Sequence, residues 1–476
     1  MTEIARESLP TVVIGAGPVG LAAAAHLLER GLDPLVLEAG EQVGAAIASW
    51  GHVRLFSPWR YDIDAAAQRL LDTTGWDVPD LDGLPTGGEL VDRYLAPLAA
   101  TPQLSGRIRT STRVLGVSRL TNDKTRTIGR ERHGYRVRVL TADGSVEDLF
   151  ARAVIDASGT YETSNPLGVG GLPALGEADA SRFVTGPLPD VLGKQRPRFA
   201  GRHTLVVGMG HSAANTLLSL VSLAEDEPGT RITWAIRGGS ARRLYGGGTD
   251  DELPARGLLG TRLKAAVDAG RVELRTFVEI DQLQASDDRV RVVGRSRDAA
   301  LDLSVDAIVN ATGFRPDLDM LREVRLSLDP ALECPAQIAE VIDPNFHSCG
   351  TVPPHGEKLL SHPDDGFYIV GMKSYGRAPT FLLATGYEQV RSIAAALAGD
   401  RAAADAVELN LPATGVCSSD LALDADGNEV AGSCCGSAPA EPELLTLTAA
   451  TPVGIGFATG VAHGRSGDSE NSSCCG

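Results

Sequence analysis

The sequence predicts an α/β fold built on two separate parallel sheets, followed by a flexible C-terminal tail. A β-branched apolar run turns on glycines into a helix-forming stretch at TVVIGAGPVGLAAAAHLLER, from Thr11, and again at TLVVGMGHSAANTLLSL, from Thr204. A buried-strand pattern closing on a glycine turn also occurs twice, as ARAVIDASGT and VDAIVNATGFRPD. The last stretch of chain is rich in Gly, Ser and Ala and ends in NSSCCG, the composition of a flexible tail.

The first glycine turn carries Gly15, Gly17 and Gly20 in GxGxxG spacing, and the next apolar strand, PLVLE, ends in Glu38. Glycines there let the backbone turn tightly and approach a pyrophosphate, the helix N-terminus offers it unpaired amides, and the acid is placed for ribose hydroxyls. The second turn keeps the pattern with Gly208, Gly210 and Ala213, around Ser212. Its following strand, RITWAIRGG, ends in Arg237 where the first copy has an acid. A guanidinium matches a 2′-phosphate that an acid would repel, so NADPH is expected at the second turn, with Arg242 and Arg243 close enough to share the task. Two such Rossmann-like units in one chain indicate a bound flavin, FAD, and a visiting nicotinamide.

The chain has 476 residues, 43% of them hydrophobic and 22% charged, enough for two or three domains with sizeable cores. Its net charge of −17 argues against nucleic-acid or anionic-membrane partners. No apolar stretch approaches the roughly 20 residues a bilayer span needs, and the start MTEIARESLP lacks the pattern of a signal peptide, so a cytoplasmic location is expected. The expected order is residues 1–165 as the first part of an FAD-binding domain, 166–200 as a linker and 201–310 as an inserted NADPH-binding domain. Residues 311–405 then return to the FAD-binding domain, and 406–476 form the tail.

Both glycine turns, the GHSA of the second, and the strands IDASGT at Ile155 and NATGFRPD at Asn310 resemble class B flavin-dependent monooxygenases, the group of flavin-containing and Baeyer–Villiger monooxygenases. The stretch FVTGPLPDVLGKQRPRFAGR, from Phe183, departs from that group's linker signature with its central His. Over most of residues 10–415 the strings GPLPDVLG, RFAGRHTLVVGMGHSA, YGGG, LPARG, IDPNFHSCGTVPPHG and GMKSYGRAPTFLLATGYEQVR are similar to flavoprotein monooxygenases of bacterial arsenic-resistance operons. The resemblance implies oxygen transfer, through a flavin hydroperoxide, to a soft nucleophile such as a trivalent arsenical, thioether or amine. The substrate partners are then a small molecule and dioxygen, with the oligomeric state open.

In such an architecture the return strand ending at Gly371 leads to a helix near Thr385 whose N-terminus faces the flavin carbonyl edge, where charge accumulates on reduction. Gly386 and Tyr387 at that helix start are expected flavin contacts, and because the Gly-Asp that holds the ribityl chain in relatives is here Gly371-Met372, a backbone amide at Gly371, or Ser374, is expected to take the aspartate's place. The alternative for this segment is a loop that packs the domain. Trp50, Arg54, Ser57 and Trp59, in SWGHVRLFSPWRYDID, are expected flavin or substrate contacts, or else core aromatics and their neighbours.

Seven cysteines occur, with no CxxC, so a dithiol–disulfide active site lacks its pair. Cys417, the pair Cys434-Cys435 and the pair Cys474-Cys475 fall in the tail. Soft thiolates suit trivalent arsenic, so these five could capture substrate, and a dispensable tail is the alternative. His347, His355 and His362 flank Cys349 without metal-ligand spacing, so no metal is expected, and no catalytic side chain is assigned. Two further functional readings stay open. One is an NADPH-dependent flavin reductase or oxidase that makes hydrogen peroxide; the other is a non-enzymatic metalloid-binding flavoprotein.

Overall fold

A computed structural model describes residues 6–245, 254–343 and 352–409. Strands occur in chain order as β1 Thr11–Ile14, β2 Pro34–Leu37, β3 Ile108–Arg109, β4 Arg113–Arg119, β5 Tyr135–Leu140, β6 Val146–Ala151 and β7 Ala153–Asp156. They continue with β8 Val184–Thr185, β9 His203–Val207, β10 Arg231–Ala235, β11 Glu273–Arg275, β12 Val278–Ala285, β13 Val290–Ser296, β14 Ala299–Val305, β15 Ala307–Asn310 and β16 Phe367–Ile369. The first sheet has the order β16-β7-β1-β2-β3 and the second β11-β10-β9-β15-β8. Every pairing in both is parallel.

The two sheets are built by the same plan. A glycine-turn strand (β1 or β9) feeds a helix, Pro18–Glu29 or His211–Asp226, that returns to a parallel neighbour, β2 or β10. A three-stranded antiparallel meander follows (β4-β5-β6 or β12-β13-β14), and the chain re-enters the sheet on the other side of the glycine-turn strand as β7 or β15. The first sheet takes its fifth strand, β16, from beyond the second, so one nucleotide unit is inserted into the other.

Local sequence explains these elements. β1, β7, β9 and β15 are buried along their whole length, as β-branched strands covered on both faces should be. The helix Pro18–Glu29 starts with proline, whose fixed φ suits a first helical turn, and it buries Leu21, Ala22, Ala23, Ala24, Ala25 and Leu27 completely. Burial of each leucine contributes about 1.5–3 kcal/mol. On its far side packs the helix Leu383–Leu397, where a Cβ on Gly386 would lie 2.7 Å from Val19 Cγ2 and 2.8 Å from Phe381 Cζ.

Two features add to the expected layout. β8 and the short helix Arg196–Phe199 lie inside the 166–200 segment, and β8 pairs with β15 at the edge of the second sheet. The two meanders extend beyond the one hairpin the alternation of YRVRVLTADG suggested. The tail from residue 410 onward lies outside the described residues.

Candidate functional site

The first glycine turn is shaped by steric necessity. Gly15 sits at φ +98°, and a Cβ there would be 2.7 Å from the Ala157 carbonyl oxygen. A Cβ on Gly20 would be 1.9 Å from the Gly15 carbonyl oxygen, so helix and strand meet only because neither residue has a side chain. Gly17 differs: open space surrounds the position of its Cβ. It caps the helix Pro18–Glu29 in extended conformation, with no side chain on the first-turn amides and no acid in the first turn. Those amides and the helix dipole suit an anion, and among the described residues no side chain caps them. Glu38, half-buried at the end of β2, accepts from the Ala16 amide and the Gly40 amide, each at 2.8 Å. The carboxylate is thereby fixed beside the turn, and each oxygen keeps a second lone pair for a ribose hydroxyl.

The second turn repeats the construction. Gly208 is at φ +129° with its would-be Cβ 1.9 Å from the Ala311 carbonyl oxygen, whereas Gly210 faces open space. Buried Trp234 donates through Nε1 to the Gly208 carbonyl at 2.7 Å and fixes the turn from beneath. The helix His211–Asp226 is again uncapped by side chains and free of acids in its first turn, Ser212 is half-buried and Ala213 is buried against the core. Arg237, just past the end of β10, is exposed and has no hydrogen-bond or ion-pair partner among the described residues. Arg242 is exposed in the short helix Arg242–Tyr245; the Arg243 side chain lies outside the described residues.

The strands that lie beneath the two turns mirror one another in detail. Asp156 Oδ1 accepts from the Ser158 amide at 3.1 Å and hydroxyl at 2.7 Å, and Asn310 Oδ1 accepts from the Thr312 amide at 3.2 Å and hydroxyl at 2.7 Å. Past these caps the chain crosses between the sheets twice. The crossings form a short antiparallel bridge at Ser164 and Phe314, and Asn165 ties them together by donating to Thr312 and accepting from Asn310 and Arg315. Tyr161 and Phe314 meet at 5.3 Å between ring centroids. A second contact spans the units: Phe56, in the loop after β2, lies 5.3 Å from the ring of His211, the first residue of the second turn's helix.

Downstream, Gly371 turns at φ +66° after β16, and its amide donates to Gln389 Oε1 at 2.8 Å. Ser374 is fully buried; its hydroxyl donates to the Gly371 carbonyl at 2.7 Å and accepts from Gln389 at 2.9 Å. The two groups expected to replace the missing aspartate are therefore used to shape the turn. Tyr387 is buried too, with its hydroxyl donating to the Asp62 carbonyl at 2.6 Å, and burial pushes that phenol far above its usual range. Gly386 serves the helix contact with Val19. The helix Leu383–Leu397 itself starts without a side-chain cap and without an acid in its first turn, which leaves its dipole uncompensated by side chains there.

The loop after β2 sorts its candidates. The ring of half-buried Trp50 lies over Gly87, where a Cβ would come within 2.7 Å of it. Arg54 is exposed and donates to the Leu84 carbonyl. Trp59 is a core residue, 3% exposed, with the Arg93 guanidinium 5.9 Å from its ring centre. Half-buried Ser57 donates to Asp62 Oδ1 at 2.8 Å, and burial pushes the Asp62 carboxyl up to about 7.

Sequence reasoning passed over Asp62, Asp156 and Lys373. Lys373, 1% exposed, follows Gly371 by two residues and its ammonium lies 2.7 Å from Asp156 Oδ2 and 3.0 Å from Ser158 Oγ. The readable signal was an acid in an otherwise apolar buried strand, which requires a cation nearby.

Among the described residues no cluster of three or more His, Cys, Asp or Glu is arranged to hold a metal ion. His355 is buried between the Pro353 carbonyl and Gln389, and His362 accepts from the Ser327 amide. Cys334 is buried and free, its thiol pushed up to about 12 by desolvation, which leaves it unreactive. His347, Cys349, Cys417, Cys434, Cys435, Cys474 and Cys475 lie outside the described residues. No described helix is long and apolar enough to cross a membrane.

Two open, uncapped glycine turns in mirrored parallel sheets, joined by paired crossings, define an oxidoreductase of the two-dinucleotide flavoprotein class, working with FAD and NADPH. The chain belongs to the pyridine nucleotide-disulphide oxidoreductase family, whose pattern it matches over residues 12–337. Among curated proteins none matches the sequence. Among solved structures, it is similar to the bacillithiol disulfide reductase of Bacillus cereus, with a TM-score of 0.60, 20% identity, 82% of this chain covered and 99% of that one. It is similar also to the cadaverine monooxygenase of Erwinia amylovora desferrioxamine biosynthesis (TM-score 0.59, 16% identity, 85% and 97% covered). The ornithine N-hydroxylase of Kutzneria sp. 744 aligns with TM-score 0.55 and 18% identity over 83% of this chain and 99% of that chain.

Proposed function

We propose that the protein is an NADPH- and FAD-dependent monooxygenase that oxidises a soft nucleophile, most specifically a trivalent arsenical, in metalloid resistance. The observation that carries this reading over a dithiol reductase is the thiol inventory around an otherwise complete two-nucleotide frame. The sequence has no CxxC, and the one described cysteine is buried and unreactive, so electrons reaching the flavin have no dithiol relay in the described fold. Dioxygen is the acceptor that the resemblance to class B monooxygenases implies, and hydroxylases as well as a disulfide reductase share the fold. The arsenical rests on the resemblance of GPLPDVLG, IDPNFHSCGTVPPHG and GMKSYGRAPTFLLATGYEQVR to arsenic-operon flavoproteins.

In this reading Gly15, Gly17, Gly20 and Glu38 hold the FAD adenosine and pyrophosphate, and Gly208, Gly210, Ser212, Ala213 and Arg237 hold NADPH. When bound, the flavin supplies two-electron transfer from nicotinamide and reaction with dioxygen. The chain's own residues orient and exclude water. Uncapped helix N-termini fix the phosphates, the Phe56–His211 contact brings the flavin-side loop to the nicotinamide turn, and the dipole of Leu383–Leu397 favours negative charge. The tail thiols are proposed as the arsenical's point of capture, and the protein as a cytoplasmic one.

Product analysis tests the reading. FAD-loaded protein with NADPH and air is offered arsenite, methylarsenite, antimonite and a thioether. Faster NADPH consumption with an oxygen atom gained by one of them is expected. Stoichiometric peroxide whatever is added would establish the oxidase alternative. Replacing Cys434, Cys435, Cys474 and Cys475 by Ser should raise the arsenical KM; unchanged binding and turnover would show the tail to be dispensable.

A further inference from the structure

Among the described residues five carboxylates are buried: Asp62, Asp64, Asp156, Asp364 and Glu388. Four face a basic side chain, namely His26 at 3.0 Å, Lys373 at 2.7 Å, Arg130 at 2.7 Å and Arg391 at 2.8 Å respectively. Asp62 has none. It is 1% exposed, its Oδ1 accepts from the Ser57 hydroxyl at 2.8 Å, and its Oδ2 has no hydrogen-bond partner. A buried charge without a counterion is costly, and such a group keeps its proton instead.

Among the described residues the surroundings contribute no cation that would change this. From the helix Leu383–Leu397 comes the Tyr387 hydroxyl, bound to the Asp62 carbonyl, and from the segment Val91–Leu95 comes Tyr94, whose hydroxyl interacts with that of Tyr387 and accepts from the Asp64 amide. Asp64 is the other nearby acid, and it is turned to His26 and to the Ala67 amide at the start of the helix Ala65–Asp72. Both phenols are pushed far above their usual range by burial and by these carboxylates, so neither supplies charge. The Arg93 guanidinium lies over Trp59 on the same short helix.

Ser57, unlike Asp62, is only half-buried, and it follows Phe56, the residue that touches His211 at the nicotinamide turn. The pair thus links a sealed acid to the boundary between the two nucleotide units. Resting on the monooxygenase reading, the chemistry gives such a link a use. Each turnover takes one hydride, with its two electrons, from NADPH, places one atom of dioxygen in the product and the other in water, and consumes one proton from solution.

We propose that Asp62 stores this proton and Ser57 conveys it, making Asp62 a positioning residue for proton delivery at the flavin–nicotinamide boundary. With the carboxyl protonated, its O–H donates to Ser57 Oγ and the serine O–H points outward. As the serine proton leaves, the carboxyl proton moves to Ser57, and the serine hydroxyl then donates back to the carboxylate. A proton from solution recharges the pair by the reverse path.

The test uses the full FAD-loaded chain as wild type, Asp62→Asn and Ser57→Ala, read by infrared spectroscopy and by NADPH-supported turnover across pH. The carbonyl stretch of a protonated carboxylic acid is expected in the wild type at mildly acidic pH, fading as pH rises through about 7, absent from Asp62→Asn and retained in Ser57→Ala. Wild-type turnover should fall across the same window. Both variants should run about a hundredfold slower on its acid side and lose that pH dependence. An acid band missing from the wild type, or surviving in Asp62→Asn, overturns the proposal, as does a wild-type pH profile in Ser57→Ala. A wild type that shows the acid band while its flavin is not reduced by NADPH overturns the functional reading instead, and with it the consumer of the proton.

Discussion

Single atoms decide whether each glycine of the two turns is replaceable. Gly20→Ala drives a methyl into the Gly15 carbonyl, 1.9 Å away, so strand and helix must separate. A loss of about 1–3 kcal/mol in chemical denaturation, together with loss of FAD, is expected. Gly17→Ala adds its methyl to open space, so stability should change by less than about 1 kcal/mol while FAD affinity falls. Comparing denaturation midpoint with flavin content separates the two effects. Arg237→Glu should raise the KM for NADPH roughly ten- to hundredfold with little change for NADH, since a charged hydrogen bond contributes about 1.5–3 kcal/mol. Equal effects on both coenzymes would remove Arg237 from the 2′-phosphate. Titration is also a residue-scale matter. Burial holds His362 down at about 4, below its usual 6.5, so the unfolded chain binds more protons between those values. His362 therefore costs stability as pH falls from about 6.5 to about 4, by up to roughly 3 kcal/mol. Asp62, raised from 3.8 to about 7, acts in the opposite sense: the folded chain holds the extra proton, and stability falls as pH rises through that window. Asp62→Asn should accordingly gain on the wild type as pH rises toward 8, and His362→Asn as it falls toward 5, in urea titrations at each pH.

At the scale of elements, the legible parts were those with strong local patterns. The glycine turns, the buried strands β1, β7, β9 and β15, and the return through β16 into the helix Leu383–Leu397 were all readable, because burial on both faces forces apolar β-branched runs and close packing forces glycine. β8 was not readable, since two residues at a sheet edge are specified by their partner β15 and have no pattern of their own. Ser374 and Tyr387 were read as flavin contacts, and residue type alone could not show that their hydroxyls bond to the Gly371 and Asp62 carbonyls. Lys373 sits among glycines and aromatics in a stretch that reads as loop, and only the fold brings it to Asp156, more than two hundred positions away. That pair fastens the return turn to the strand beneath the first glycine turn. Lys373→Met leaves Asp156 buried and unpaired, and should cost about 3–5 kcal/mol in urea unfolding, with Lys373→Met/Asp156→Asn recovering much of the loss. A single-variant cost below about 1 kcal/mol would show the pair to be screened by solvent.

For the whole molecule, repetition of one plan with one inserted in the other explains how two carriers of the same chemical kind are held by one chain. The crossings meet at Asn165, and the loop after β2 reaches His211, so specific contacts tie the two nucleotide units together. The account's central claim is that electrons pass from NADPH at the second turn to FAD at the first. Anaerobic addition of NADPH to the purified, FAD-loaded protein tests it most directly. The account predicts that the flavin absorbance bleaches with one NADPH per flavin and that NADH does so far more slowly. A flavin that stays oxidised with excess NADPH would contradict it.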